Sequence, residues 1–113
     1  MSTSQIQQVE ESIRQSREIL DLANSLARLK HNSDFRKVMV QGFFKDEAVR
    51  LVQEKQNPDK QSPEEQKLLM TQIDSIGSLY QYFRKIETQA EIAGRSLEID
   101  EQTLQELHAE SLQ

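Results

Sequence analysis

The sequence predicts an all-α protein built around an antiparallel helical hairpin, with helices at about 33–56 and 63–94. Apolar residues recur at spacings of three and four, which places them on one face of a helix. The two stretches are separated by QNPDKQ, a short polar loop of the kind that joins antiparallel helices. A long N-terminal helix at about 4–30 and a short C-terminal helix at about 101–112 are expected on either side of the hairpin.

The first hairpin helix is predicted from its capping residues. Asn32 can accept a hydrogen bond from an N–H of the first turn, and Asp34 places a negative charge in that turn. The helix is expected to end near Gln56, because Pro58 restricts the residue before it and cannot donate a backbone hydrogen bond.

The second hairpin helix has a stronger start signal. Ser62 is a capping residue, Pro63 occupies the first helical position, and Glu65 completes a capping box. The helix is expected to end at about Gly94. The apolar side chains of both helices are expected to lie in a core or an interface. They are Phe35, Val38, Phe43, Phe44, Val49, Ile73, Ile76, Tyr80 and Phe83.

Two interior glycines, Gly42 and Gly77, would be level with each other in such a hairpin. Each costs about 1 kcal/mol relative to alanine inside a helix, and a close approach of the two backbones would offset that cost. We therefore expect the helices to cross most closely at these glycines. The alternative is that one of them marks only a kink.

The sequence predicts a single domain, 1–113, in which each terminal segment has more than one possible placement. The apolar face of the N-terminal helix is narrow in its first half and broad in its second half. Residues 1–16 therefore either project toward another subunit or pack within their own chain. Residues 95–99 are interpreted as a linker, and Asp100 as the cap of the last helix. That helix is marginal alone, so residues 95–113 are expected to dock on a partner or on their own bundle.

Composition limits the class of protein. There is no cysteine, and no apolar run long enough to span a bilayer. The first residues, MSTSQIQQVEES, are polar and acidic and do not form a signal peptide. We expect no membrane association. Long helices with few aromatic residues make a thin core, which favours a homo-oligomer.

The sequence contains no recognisable catalytic or cofactor motif. His31 and His108 have no metal-type spacing, and no phosphate-binding glycine loop is present. We expect neither an enzyme nor a cofactor. A candidate anion patch comprises Arg28, Lys30, Arg36 and Lys37. A net charge of −5 disfavours nucleic acid, and a small anionic ligand, such as a nucleotide, remains a secondary hypothesis.

Two parts of the sequence form a recognisable pattern. One is DF at 34–35 with GFFKDEAVRL at 42–51, and the other is QIDSIG at 72–77 with QYF at 81–83. Together they resemble a family of small, mostly uncharacterised helical proteins of tailed bacteriophages. The resemblance covers about 26–86. It implies a viral source and a structural or assembly role, and it carries no catalytic motif.

The sequence therefore leads to two functional hypotheses. The first is a non-enzymatic phage protein that self-associates or binds other virion proteins, located in the virion or the host cytoplasm. The second is a small phage regulator or anti-defence protein that sequesters a host factor or an anionic nucleotide at a subunit junction.

Overall fold

The computed structural model describes residues 2–112, with no side-chain description for Ser2. These residues form only helices and their connections, so the all-α class is confirmed for this part of the chain. The elements in order are α1 (Ser2–His31), α2 (Ser33–Phe35), a π-helix (Arg36–Glu47), α3 (Ala48–Lys55), a 3-10 turn (Pro58–Lys60) and α4 (Pro63–Ser111).

The chain divides into two compact units. The terminal unit comprises Met1–Ser25 and Lys85–Gln113, and the central unit comprises Leu26–Arg84. Helices α1 and α4 each contribute residues to both units. Each unit is described separately below.

The core of the central unit lies between α3 and the first part of α4. Leu51 of α3 is almost completely buried and forms one cluster with Leu69 and Ile76 of α4. Half-buried apolar residues of the π-helix, α3 and α4 pack against this cluster. They are Phe43, Phe44, Ala48 and Ile73.

Both capping signals read from the sequence are present. The side-chain oxygen of Asn32 accepts a hydrogen bond from the Phe35 N–H at 2.9 Å. The Ser62 hydroxyl accepts from the Glu65 N–H at 3.2 Å and donates to the Glu65 carboxylate at 3.0 Å. Each interaction satisfies an N–H of a first helical turn that has no partner within the helix.

Two glutamine side chains donate hydrogen bonds to backbone carbonyls in the connection between α3 and α4. The Gln61 amide donates to the carbonyls of Lys55 and Asn57, and the Gln66 amide donates to those of Lys55 and Lys60. The Lys55 carbonyl lies at the C-terminal end of α3, where backbone acceptors have no partner in the helix. The two side chains therefore stabilise the chain reversal after α3.

The terminal unit consists of the N-terminal part of α1 and the C-terminal part of α4, and these pack on each other. Ile13 and Ser16 of α1 and Ala93 of α4 are buried. The Ser12 hydroxyl donates to the Asp100 carboxylate at 2.5 Å, and Arg17 pairs with Glu101 at 3.4 Å. Within residues 1–16, Ser12, Ile13 and Ser16 thus pack against their own chain, and projection of the preceding residues stays a prediction.

The predicted linker at 95–99 is wrong, because α4 continues without a break to Ser111. A terminating glycine adopts a positive φ, and no glycine of this chain does so. One helical glycine, Gly94, costs only about 1 kcal/mol, and no proline follows it. Asp100 is not a helix cap, since it lies inside α4 and accepts the Ser12 hydrogen bond.

The helix predicted at about 33–56 is present as one unbroken helical segment over 33–55, but its central part does not have α-helical geometry. Residues Arg36–Glu47 form a π-helix, in which backbone hydrogen bonds join residues five apart and the turn is wider than in an α-helix. Residues that the α-helical period assigns to one face therefore do not all share a face in the π-helix. Val38 is 64% exposed, and Val49 in the following α3 is 55% exposed.

The interior glycines do not mark a tight helix crossing. A Cβ added to Gly77 would meet nothing within 4 Å. A Cβ added to Gly42 would lie 3.1 Å from the Lys37 carbonyl oxygen, which belongs to its own helix. The prediction of a close crossing at Gly42 and Gly77 was wrong, because it assumed that interior glycines exist to admit a facing helix. The contact at Gly42 arises within the π-helix.

Candidate functional site

All six aromatic side chains of the protein lie in one connected cluster in the central unit, although they come from two separate stretches of sequence. The ring of Phe44 lies 5.8 Å from Tyr80 and 5.7 Å from Phe83, both edge to face. The members of this aromatic cluster are Phe35, Phe43, Phe44, Tyr80, Tyr82 and Phe83. Such pairs contribute about 0.5–1.5 kcal/mol each beyond area burial.

The aromatic cluster lies at the surface of the central unit and is not its core. Its phenylalanines are half-buried, while Tyr80 is 48% and Tyr82 52% exposed. Tyrosine has an apolar ring and a polar end, so it suits a surface that is wet in one state and covered in another. The cluster therefore has the composition of a protein-contact surface.

An open groove on the π-helix adjoins this surface. This π-helix groove has a volume of about 390 Å³ and is lined by Val38, Met39, Gly42, Phe43 and Glu47. It shares Phe43 with the aromatic cluster. Long π-helices are rare, and π-helical turns occur frequently at functional sites. The groove is mainly apolar, with one acid at its rim.

The rim acid is held in its charged form. Glu47 accepts two hydrogen bonds from Arg50, one of them at 3.1 Å between Arg50 Nε and Glu47 Oε2. These hydrogen bonds hold the pKa of the Glu47 carboxyl below its usual value. At neutral pH the pair therefore presents no net charge beside the groove.

The terminal unit has a larger groove between α1 and α4. This acidic groove has a volume of about 790 Å³. It is lined by Glu10, Ile13, Arg14, Arg17, Glu18, Asp21, Glu101, Leu104 and Gln105. Arg14 pairs with Glu11 and Glu18, and Arg17 pairs with Glu101. Apolar Ile13 and Leu104 lie among the charged side chains.

The candidate anion patch lies around the end of α1. Its members Arg28, Lys30, Arg36 and Lys37 are all exposed. The guanidinium of Arg36 donates to the Lys30 carbonyl at 3.1 Å, so it caps the C-terminus of α1. His31 also contacts its own helix, with Nδ1 2.7 Å from the Ala27 carbonyl oxygen. Arg36 and His31 thus have structural roles at this helix end.

The structure brings most of the predicted core or interface residues together. Seven of them form the aromatic cluster or pack in the adjacent core: Phe35, Phe43, Phe44, Ile73, Ile76, Tyr80 and Phe83. Val38 and Val49 are exposed instead. Leu51, the most buried of the described side chains, is not among the predicted core or interface residues. Tyr82 was not singled out, although the small number of aromatic residues could have drawn attention to it.

Among residues 2–112, no group of three histidines or acids is arranged to hold a metal ion, and no helix is long and apolar enough to cross a membrane. Comparison of the sequence and structure with family models, with curated proteins and with solved structures found no match.

Proposed function

We propose that this protein is a non-enzymatic assembly protein that acts by self-association through its helical surfaces. The observation that carries the proposal is the balance of buried and exposed apolar side chains. Within the described residues, the buried apolar residues are only Ile13, Leu26, Leu51, Leu69, Ile76, Ile86 and Ala93. Among the same described residues, twelve large apolar side chains are exposed, from Met70 at 39% to Leu112 at 89%.

Scattered exposed apolar residues are normal, but contiguous ones mark contact sites. Here the aromatic cluster and the π-helix groove share Phe43 and form one continuous surface. Tyrosine, phenylalanine and methionine are enriched in the cores of protein interfaces, and all three are present on this surface. A second copy or a virion partner that covered Tyr80 and Tyr82 would complete the packing of the central unit.

The arrangement that presents this surface is an antiparallel hairpin within the central unit, with 33–55 as one arm and the first part of α4, 63–84, as the other. The order of the contacts supports it. Phe35 lies against Phe83, and Phe44 lies against Tyr80. Leu51 shares its cluster with Leu69. Partners later in the first arm are thus earlier in the second, as in an antiparallel pair.

The biological setting follows from the resemblance to helical proteins of tailed phages. We place the protein in the virion or in an assembly intermediate within the host cytoplasm, where its partners are further copies or other virion proteins. Peptide mass analysis of purified phage particles and procapsids would test this setting. Absence from both would contradict it.

Light scattering of the purified protein tests the self-association itself. We expect a mass that is a multiple of 13.1 kDa. The double variant Tyr80→Ser/Tyr82→Ser should lower that mass, because it removes the exposed rings while leaving the buried core intact. Met70→Ser is the control, since Met70 is exposed on the same helix but lies outside the aromatic cluster. A wild-type monomer at all accessible concentrations would refute the proposal.

A further inference from the structure

We propose that the acidic groove of one copy receives the π-helix surface of the next, so that copies associate head to tail. The inference rests on the proposed function, because it names the two surfaces that self-association would bring together. Three features of the described residues support it. They are the unequal net charge of the two units, the basic residues beside the apolar side chains of the π-helix, and the length, volume and lining residues of the acidic groove.

Charge is divided unequally between the two units. The terminal unit carries four Lys or Arg against eleven Asp or Glu, a net charge of −7, whereas the central unit carries ten against eight, a net charge of +2. Two terminal units placed face to face would bring strongly like charge together, which is costly at an interface. The terminal unit of one copy is better matched to the central unit of another.

The π-helix carries a net charge of +1 beside its exposed apolar side chains, because three basic residues, Arg36, Lys37 and Lys45, outnumber the acids Asp46 and Glu47. The same stretch contains Val38, which is 64% exposed and lines the π-helix groove with Met39. Basic and apolar side chains therefore lie together on one short helical segment.

The acidic groove offers the complementary combination. Buried Ile13 and half-buried Leu104 supply apolar surface, while Glu10 and Asp21 supply negative charge toward its two ends along α1. These two acids are eleven residues apart, which corresponds to about 16 Å of helix. That length accommodates about three turns of an incoming helix, and the volume of about 790 Å³ has room for its apolar side chains.

Each copy has one groove and one π-helix surface, and in the head-to-tail contact it uses them on two different neighbours, so the contact is heterologous. Such contacts close into rings or continue as open chains, whereas an isologous contact stops at a dimer. We therefore expect the assembled mass to exceed that of a dimer and to rise with protein concentration. Association should weaken at high ionic strength, because salt screens the charges at the rim of the groove.

Charge reversal with complementation tests the inference in the full-length protein. The groove variant is Glu10→Lys/Asp21→Lys, and the π-surface variant is Lys37→Glu/Lys45→Glu. Each alone should remain monomeric in light scattering at concentrations where the wild type assembles, with an apparent dissociation constant raised about tenfold or more. An equimolar mixture should regain assembly, because the reversed surface of each variant is complementary to the other.

Glu106→Lys/Glu110→Lys is the matched control, since it makes the same change in net charge on α4 outside the groove. It should assemble as the wild type does. Circular dichroism must show unchanged helicity for every variant. If a reversal variant fails to fold, Glu10→Gln/Asp21→Asn replaces it and should weaken assembly at low salt.

The outcomes separate this inference from the proposed function. A wild-type protein that assembles, with neither reversal reducing its mass, would overturn the head-to-tail contact and leave self-association standing. Reversal variants that do not complement each other would also overturn the contact. A wild-type protein that never assembles would overturn both.

Discussion

Replacing Leu51 by alanine should strongly destabilise the central unit. The Leu51 side chain is only 1% exposed and lies in one cluster with Leu69 and Ile76. A buried Leu→Ala change costs about 2–5 kcal/mol, which combines lost transfer free energy with the cavity that remains. Half-buried Phe43 and Phe44 border the cluster and can move into part of that space. We therefore expect a loss of about 2–3 kcal/mol, toward the lower end of that range.

Urea denaturation followed by far-ultraviolet circular dichroism would measure this loss. Leu68→Ala is the matched control, because it removes the same atoms from a neighbouring position of α4 that is 60% exposed. Its effect should stay within about 0.5 kcal/mol. All samples need one protein concentration, since association adds to apparent stability. A Leu51 variant no less stable than the Leu68 variant would refute the placement of the core.

Three further predictions concern the helices and their surface pairs. Gly77→Ala should stabilise the protein by about 0.5–1 kcal/mol, because the added Cβ meets nothing. Gly42→Ala should stabilise the protein less than Gly77→Ala, because its Cβ would lie 3.1 Å from a carbonyl oxygen of its own helix. Equal melting temperatures for the two variants would contradict this explanation. Ser12→Ala should cost about 1–2 kcal/mol, and adding Asp100→Asn should cost little more, because the two side chains share one hydrogen bond. Additive losses in urea titrations would show that the pair does not interact. Hydrogen bonds from Arg14 hold the pKa of the Glu11 carboxyl below its usual value, so the stability that this pair contributes is complete above the usual carboxyl range and is lost as the pH falls through the lowered pKa. The stabilities of wild type and Glu11→Gln should therefore converge in acid, and a constant difference would contradict the ion pair.

Local signals predicted local structure well. The caps at Asn32 and Ser62 depend on atoms within three residues, so the sequence contains all the partners that decide them. The all-α class follows in the same way from apolar spacing. By contrast, the prediction that the second hairpin helix ends at about Gly94 is wrong. The continuation of α4 brings Asp100 to Ser12, a residue eighty-eight positions away, and no local pattern reveals that contact.

Most residues of the candidate site were predicted from the sequence, but their exposure and the π-helix that carries some of them were not. The sequence identified Phe44, Tyr80 and Phe83 as core or interface residues, yet their exposure depends on which neighbours cover them. The π-helix was missed because its wider turn is not visible in a pattern read with an α-helical period. This change of period explains why Val38, predicted to lie in a core or an interface, is exposed.

The location of every aromatic ring in the central unit has a practical consequence for spectroscopy. Tyrosine fluorescence and near-ultraviolet dichroism will report only on Leu26–Arg84, while amide dichroism reports on the whole helical chain. A single purified sample, without any added label, can therefore show whether both parts of the molecule melt as one cooperative system. Coincident transitions in the two signals would indicate that they do, and separate transitions would assign the first or second melting step to its part of the chain.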